Sequence, residues 1–323
     1  MSSITPDLAD IQGAVQLACR APSIHNSQPW RWVAEGATLH LFADLARVMT
    51  AADPEGREIY LSCGAVLDHL IVAMASAGWD AAVQRFPDPL DPLHVATLDF
   101  RRAPGEPTQI TEARAQAIGR RHTDRRAFGP PPNWASFEVL LRQNVIPYHV
   151  MFDIVLDHAR ASLAEVSRLT EAVRANDPSY AAELSWWTGA FESGGGVPHT
   201  VLTSSAGQAD ITRTFPGTDQ EPHGTGVDRS KIVVLSTHHE DARLDVLQCG
   251  EALSALLLEC TVAGLATCTL THMTELAPSR EKVRTLVGQR GMPQLLIRIG
   301  RPVDEAAPQV SPRRALTDVL EFR

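Results

Sequence analysis

The chain has 323 residues, which suits two domains of ordinary size or one large domain and excludes a small disulfide-stapled scaffold. Hydrophobic residues make up 44% of the chain and charged residues 21%, so we expect a packed core and exclude wholesale disorder. The net charge of −9 argues against a protein whose main partner is nucleic acid or an anionic membrane.

The N-terminus and the cysteines indicate the compartment. Residues 1–7 lack the basic and apolar regions of a signal peptide, and no apolar run approaches the roughly 18 residues of a membrane span. The five cysteines form no C-x-x-C pair, which favours reduced thiols over a disulfide framework or a zinc ribbon. We therefore expect a cytoplasmic protein.

The first informative segment is the loop at 21–30, APSIHNSQPW. Its Ser, Asn and Gln side chains offer neutral donors and acceptors that can bind the edge of a planar heterocycle, and its Pro and Trp offer apolar walls. The alternative is an ordinary turn that leads from a helix into a strand at 31–33.

Two segments resemble each other at an offset of 186 residues, as between Cys63 and Cys249. Residues 61–79 (LSCGAVLDHLIVAMASAGW) and 247–265 (LQCGEALSALLLECTVAGL) both have the periodicity of a buried helix. Predicted strands flank each helix, at 38–42 and 93–100 and again at 231–235 and 294–300. We interpret this order as a duplicated α/β unit, with chance similarity between two apolar helices as the alternative.

Two basic segments lie in the second half. A polar connection with a predicted helix at 111–119 leads into Arg120–Phe128, which holds four arginines and a threonine. Arginines four residues apart around a threonine can bind a phosphate, although a solvated basic helix end has the same composition. The second segment is SPRR at 311–314.

Residues 176–226 have no counterpart in the first half. Trp186, Trp187 and Phe191 precede a glycine cluster, a pattern that suits a lid over a pocket and equally a helix packed permanently on the core. Further on, His238 and His239 stand before Glu240 and Asp241. We interpret these residues as the end of a strand at the surface and expect no metal.

Together the motifs resemble the nitroreductase superfamily of flavin-dependent proteins. APSIHNSQPW is similar to its A-P-S-x-x-N-x-Q-P-W motif, and RHTDR to its R-x-[ST]-x-[RK] motif. The spacing of DPEGREIYLSCGAVL, RRHTDRRAF, GEALSALLLECTVAGL and SPRRALTDVL resembles that of the Acg-type NAD(P)H nitroreductases of actinobacteria, over almost the whole chain. The resemblance implies a nitroreductase-like α/β (α+β) fold with central mixed sheets flanked by helices.

The resemblance also implies how the halves cooperate. Ordinary nitroreductases are homodimers that bind FMN at the subunit interface. Here the half at 1–118 keeps the Pro-Ser-Asn loop and lacks the arginine motif, whereas the half at 119–323 keeps the arginine motif and lacks the loop. We therefore expect a fused pseudo-dimer, monomeric in solution, with one complete FMN site and one vestigial site.

Carried over residue by residue, the resemblance assigns three groups of cofactor-binding residues. The phosphate and ribityl group is Arg121, Thr123, Arg125, Ser311, Arg313 and Arg314. The ring group is Pro22, Ser23, His25, Asn26, Ser27 and Gln28. Backbone groups of Thr269, Leu270, Thr271 and His272 are expected near flavin N5, where this chain lacks the usual Pro and Glu-Gly. The flavin carries the chemistry, so no catalytic side chain is expected.

The function that this resemblance implies is an FMN-binding, NAD(P)H-dependent oxidoreductase that passes a hydride through flavin N5 to nitro or quinone acceptors. The alternative is an FMN-sequestering protein whose insertion covers the flavin and permits little turnover. A third hypothesis is a structural or regulatory protein without cofactor. No nucleic acid or membrane partner is expected.

Overall fold

The computed structural model describes residues 5–189, 194–198, 202, 209–215, 227–239, 241–303 and 311–323. The helices are α1 (Leu8–Ala18), α2 (Arg57–Ser76), α3 (Gln109–Arg120), α4 (Trp134–Val145), α5 (Arg160–Arg174), α6 (Pro178–Thr188), α7 (Arg243–Val262), α8 (Ala277–Leu286) and α9 (Leu316–Val319). The strands are β1 (Trp30–Glu35), β2 (Thr38–Ala43), β3 (Trp79–Arg85), β4 (His94–Arg102), β5 (Met151–Val155), β6 (Lys231–Thr237), β7 (Ala266–Leu270), β8 (Met292–Gly300) and β9 (Leu320–Phe322).

The first sheet has the strand order β3-β4-β2-β1-β9. β1 to β4 pair antiparallel, whereas β9, at the C-terminal end, lies parallel to β1. Alternate residues of β2 are buried, and the side chains of Trp30, Trp32 and Trp79 fill the core beneath the sheet. The second half therefore contributes a strand to the sheet of the first half.

The second sheet has the strand order β5-β6-β8-β7, with every pair antiparallel. β5 to β8 follow one another along the chain as β1 to β4 do, and the two sheets arrange these strands in the same order. The predicted strands lie in β2, β4, β6 and β8, and the two predicted long helices lie in α2 and α7. The predicted mixed α/β fold is thereby confirmed, while the origin of the halves by duplication stays an interpretation.

The helices α2 and α7 cross at two glycines. A Cβ atom at Gly64 would lie 2.0 Å from the Leu247 carbonyl oxygen, and one at Gly250 would lie 2.1 Å from the Leu61 carbonyl oxygen. Each contact becomes the other when 186 is added to or subtracted from the residue numbers. Reciprocal contacts of this kind are the property of a two-fold interface, which supports the pseudo-dimer interpretation.

The connection between β5 and β6 spans residues 156–230 and is called the extra segment below. It contains α5, which precedes the predicted start of the insertion at 176. Its helix α6 is fixed to the first half because the Glu183 carboxylate accepts hydrogen bonds from the backbone amides of Ala51 at 3.0 Å and Ala52 at 2.9 Å. Arg174 of α5 donates to the carbonyl oxygens of the same two residues.

The helix α2 is long and apolar enough to cross a membrane, by length and composition alone. In this protein 72% of its most apolar window is buried. Its side chains pack against the first sheet, as those of Leu67 and Leu70 do in the main core. These contacts are those of a core helix.

Candidate functional site

A cavity of about 350 Å³ lies between the two halves, within the size range of small-molecule sites. Its wall is formed by the loop at 21–30, by the start of α2, by the chain after α3 and after β7, and by the extra segment. Most predicted site residues line it, namely Pro22, Ser23, His25, Asn26, Arg121, Thr123, Arg125, Thr269, Leu270, Thr271, Ser311 and Arg313. Both halves therefore contribute to one site.

The loop at 21–30, called the polar loop below, has a strained backbone. His25, Asn26 and Gln28 have φ angles of 45°, 56° and 51°. The left-handed region costs a non-glycine residue roughly 1–2 kcal/mol, so this conformation persists only because surrounding contacts hold it. Strain of this kind is concentrated at ligand-binding sites.

Amide side chains of the polar loop supply some of those contacts. Asn26 Nδ2 donates to the carbonyl oxygens of Gly196 and Pro312, each at 2.9 Å. Gln28 is fully buried behind the cavity wall, and its Oε1 accepts the backbone amide of Arg314 at 3.0 Å. Gln28, and Ser27 beside it, were predicted to line the ring. The structure places them outside the wall, where Gln28 positions the loop.

Three arginines, Arg20, Arg121 and Arg313, converge in the wall and are called the arginine cluster below. Arg121 and Arg313 both donate to the Arg20 carbonyl oxygen, at 3.1 and 3.0 Å. Burial and then the charges of Arg313 and Arg20 lower the pKa of Arg121 to about 9. Burial and then Arg20 lower that of Arg313 to about 10.

The arginine cluster has unused donors. The Nε atoms of Arg20 and Arg121 are buried and have no hydrogen-bond partner among the residues that the structure describes. Crowded guanidinium groups with free donors are the arrangement that a phosphate stabilises, because each contact adds a charge-assisted hydrogen bond and relieves the repulsion. The sequence motif pointed to Arg121 and Arg313 but missed Arg20, which precedes the polar loop.

The other arginines of the segment at 120–126 have different surroundings. Arg125 lies over the ring of Phe215 at 5.3 Å, and burial lowers its pKa. Arg126 forms a salt bridge of 2.7 Å with Asp124, and Arg120 is exposed. All four arginines belong to the cavity wall, and among the described residues Arg121 and Arg125 are the two whose pKa burial lowers and that form no salt bridge with a carboxylate.

Arg314 was predicted to contact the phosphate, and the structure places its guanidinium elsewhere. Its Nη1 donates to the carbonyl oxygens of Gln28 at 3.2 Å and Trp30 at 3.1 Å, and lies 3.3 Å from the Asp44 carboxylate. These contacts fix the C-terminal segment to the polar loop, so the position of Arg314 favours a structural role.

Arg213, of the extra segment, joins the parts of the wall. Its Nη1 donates to His25 Nε2 at 3.1 Å and to the Tyr180 hydroxyl at 2.6 Å, while its Nη2 donates to Thr271 Oγ1 at 3.2 Å and to the Glu275 carboxylate. Because His25 Nε2 accepts a hydrogen bond, the ring is neutral with its proton on Nδ1, and burial lowers its pKa accordingly. Arg213 stands alone in an irregular segment, so no sequence pattern indicates it.

Two more buried groups in the wall have a free polar atom. Glu58, in the first turn of α2, was not predicted as a site residue, and its Oε2 has no partner among the described residues. His272 was predicted only for its backbone, and its Nδ1 also has no partner there, while its Nε2 lies 2.8 Å from the Ser167 hydroxyl. Both residues belong to the cavity wall, and each brings one unpartnered polar atom to it.

Of the predicted lid residues, Trp186 and Trp187 lie outside the cavity wall. Trp187 is buried in an apolar cluster with Tyr180, Leu184 and Phe215, whereas Trp186 is 67% exposed. Phe191 lies outside the described residues. Of this cluster, Val197 and Phe215 reach the cavity wall. The structure thus places α6 as a packed support behind the wall, which is the second of the two interpretations of its sequence.

A second, vestigial site would lie at the position that the 186-residue offset relates to the cavity, and this position is filled by side chains. Arg85, which corresponds to Thr271, forms two hydrogen bonds of 2.7 and 2.6 Å with the buried carboxylate of Glu251. Nearby, the Tyr148 hydroxyl donates to Asp68 at 2.9 Å. In the second half, a short 3₁₀ turn around Tyr148 joins α4 to β5. The corresponding connection of the first half, between α1 and β1, contains the polar loop. This arrangement supports one site per chain.

The fold and the cavity together define a two-sheet α/β protein with a small-molecule site between its halves. A Mycobacterium tuberculosis protein named "Putative NAD(P)H nitroreductase acg" is 52% identical over 326 residues, covering 99% of this chain and 97% of that protein. A second M. tuberculosis protein also named as an NAD(P)H nitroreductase is 39% identical over 329 residues, covering 100% of this chain and 94% of that protein. The chain belongs to the Acg-type nitroreductase family.

Two solved nitroreductase structures are similar to part of this chain. The FMN-dependent nitroreductase NfnB from Mycobacterium smegmatis, in complex with NADPH, is 15% identical with a TM-score of 0.43, covering 67% of this chain and 100% of that chain. A nitroreductase with bound FMN from Bacteroides fragilis is 13% identical with a TM-score of 0.41, covering 62% and 95%. No model of a known protein family matches the chain. The family assignment rests on the sequence relatives.

Proposed function

We propose that the cavity binds FMN and that the protein is an NAD(P)H-dependent oxidoreductase that reduces nitro or quinone acceptors. The arginine cluster is the observation that carries this proposal, because its crowded charges and free Nε atoms fit the phosphate of FMN. The names of the M. tuberculosis relatives and the FMN and NADPH in the nitroreductase structures agree with it.

The residues of the wall suit the parts of that cofactor. Arg20, Arg121 and Arg313 would hold the phosphate, with Thr123 and Ser311 as hydroxyl donors beside them. The polar loop and the chain at 269–271 would flank the ring. FMN would supply two-electron redox chemistry, while the protein binds it, orients it and excludes water.

Arg213 would adjust the charge of the site. It is buried, lies beside His25 and Thr271 in the wall, and shares its charge with Glu275. A fixed cation in a low-dielectric cavity stabilises negative charge that develops on a bound ligand. We infer that Arg213 favours the reduced, anionic state of the cofactor.

Flavin titrations of two arginine variants, one inside and one outside the cavity wall, test the phosphate site. Arg121→Ala should weaken FMN binding by about 10- to 150-fold, since an arginine–phosphate contact contributes roughly 1.5–3 kcal/mol. Arg101→Ala removes an arginine that is 83% exposed and lies outside the cavity wall, and it should leave the affinity unchanged. Riboflavin, which lacks the phosphate, should bind wild type and Arg121→Ala equally well.

Equal losses for FMN and riboflavin would assign Arg121 to folding instead of phosphate binding. Asn26→Ala, in the other half of the chain, should also weaken FMN binding because Asn26 holds the polar loop to residues 196 and 312. A wild-type protein that binds no flavin after reconstitution would end the proposal.

A second function, storage of FMN with little turnover, is favoured by the extra segment. This segment forms part of the cavity wall through Val197, Arg213 and Phe215, and Glu183 fixes it to the first half. Anaerobic mixing of the FMN-loaded protein with NADPH distinguishes the two functions. Rapid bleaching of the flavin supports the oxidoreductase, whereas slow bleaching beside rapid reduction by dithionite supports storage.

A further inference from the structure

Glu58 is a buried carboxyl group of the cavity wall with one unpartnered oxygen atom among the described residues. Its side chain is 2% exposed and belongs to the cavity wall. Its Oε1 accepts a hydrogen bond of 3.0 Å from Arg57 Nη2, and its Oε2 is buried with no partner among the described residues. A buried carboxylate oxygen without a donor is costly, whereas a buried carboxylic acid O–H facing a cavity can donate to whatever the cavity holds.

The charges around Glu58 come from four parts of the chain. The facing groups are Asp53 before α2, Arg57 on α2, Glu275 after β7 and Arg213 on the extra segment. Burial and then the Glu275 carboxylate raise the pKa of Glu58 to about 8, with Asp53 acting in the same direction and Arg57 and Arg213 opposing. The histidines of the wall, His25 and His272, are neutral because burial lowers their pKa.

The neighbours of Glu58 have other partners. The Asp53 carboxylate accepts the backbone amides of Arg57 at 2.9 Å and Glu58 at 2.7 Å, and so caps α2. Arg57 also donates to Gln294, at 2.8 and 3.0 Å. Glu275 accepts from Arg213. The charged neighbours of Glu58 thus have hydrogen-bond partners. Glu58 Oε2 has none among the described residues and can therefore bind a ligand.

We propose that Glu58 is the proton-holding residue of the cavity: its Oε2 carries a proton at neutral pH and donates it to an acceptor atom of the bound molecule. This inference rests on the proposed function for the identity of that molecule, a flavin or a quinone-type acceptor.

The proton has a use in the proposed reaction. A quinone that accepts a hydride gains two electrons and one proton equivalent, and it needs one further proton to become a hydroquinone. The Glu58 Oε2–H bond breaks, an O–H bond forms on the quinone oxygen, and the Glu58 carboxylate regains a proton from water. Both electrons arrive with the hydride, whose source is NAD(P)H.

Infrared spectroscopy of the protein without flavin tests the protonation state directly. Wild type should show the carbonyl-stretch band of a protonated carboxylic acid at pH 7, with a loss midpoint near pH 8. Glu58→Gln, which preserves size, should remove one carboxyl group's share of this band, while Glu55→Gln, an exposed site three residues earlier, should leave the band unchanged. A band of unchanged intensity in Glu58→Gln would overturn the proposal, whether or not the protein binds FMN.

Potentiometry of the FMN-loaded protein tests the coupling. Above pH 8 Glu58 is ionised in the oxidised state, and negative charge that arrives on reduction draws its proton back. In this range the midpoint potential of wild type and of Glu55→Gln should therefore fall more steeply with pH than that of Glu58→Gln. The two slopes should differ by about 30 mV per pH unit. Equal slopes would overturn the coupling while leaving FMN binding, and hence the proposed function, intact.

Discussion

Replacement of Gly64 by alanine should disrupt the crossing of α2 and α7. The added Cβ would lie 2.0 Å from the Leu247 carbonyl oxygen, whereas ordinary contacts begin at 3.4 Å, so the two backbones must separate by about 1.4 Å at this point. The three atoms nearest to the added Cβ are all backbone atoms, so a rotamer change cannot relieve the clash. A gap of about 0.5–1 Å already removes a quarter to a half of each dispersion contact.

The cost follows from that separation. Overpacking costs about 1–3 kcal/mol and occasionally more, and we expect Gly64→Ala to lose about 3 kcal/mol of unfolding free energy because backbone meets backbone. Urea denaturation followed by tryptophan fluorescence measures this loss. Gly13→Ala is the matched control in α1, where nothing lies within 4 Å, and it should gain about 0.5–1 kcal/mol from helix propensity.

The double variant tests the reciprocal geometry. Gly250→Ala should cost as much as Gly64→Ala, and the two together should cost less than their sum because one separation of the helices relieves both clashes. A Gly64→Ala protein as stable as wild type, or strictly additive losses, would refute the reasoning.

Three other perturbations have expected results. Between about pH 5 and 8 native Glu58 keeps a proton that the unfolded chain has released. As the pH rises through this range, the free energy of unfolding of wild type should therefore fall relative to that of Glu58→Gln, by up to about 1.4 kcal/mol per pH unit, and it should level off above pH 8. Urea denaturation across this range measures the change. Arg85→Met leaves the buried Glu251 carboxylate unpaired and should lower the free energy of unfolding by about 3–5 kcal/mol in the same assay. The double variant Arg85→Met, Glu251→Leu should regain most of this loss. Glu183→Gln weakens the anchor of α6 on the first half and should raise hydrogen exchange in α6 while leaving α7 unchanged.

Local patterns predicted the elements and much of the cavity wall. The strands and the two long helices follow from alternation and from helical periodicity, which are properties of neighbouring residues. The polar loop and the arginine segment were also evident, because each concentrates unusual residue types within ten positions. The structure adds which of them meet, since the loop and the arginines are about 100 residues apart in sequence and share one wall.

Other features depend on contacts that no local pattern contains. Arg313 and Arg314 are adjacent and identical in type, yet one lines the cavity and the other binds Asp44 behind it. The raised pKa of Glu58 depends on its burial and then on Glu275, more than 200 residues later. Arg213 lies in a segment with no periodicity. In each case the tertiary environment decides the role of the residue.

The strand β9 has a consequence for how the chain folds. It pairs with β1, so that Trp32 lies opposite Leu320, and its sheet belongs otherwise to the first hundred residues. During synthesis the first half therefore presents an unpaired edge at β1 until residues 320–322 have been made. Contacts of such long sequence separation form slowly, and an open strand edge is prone to wrong pairing in the meantime. The three residues of β9 should thus govern the yield of folded protein far more than their small share of the core suggests.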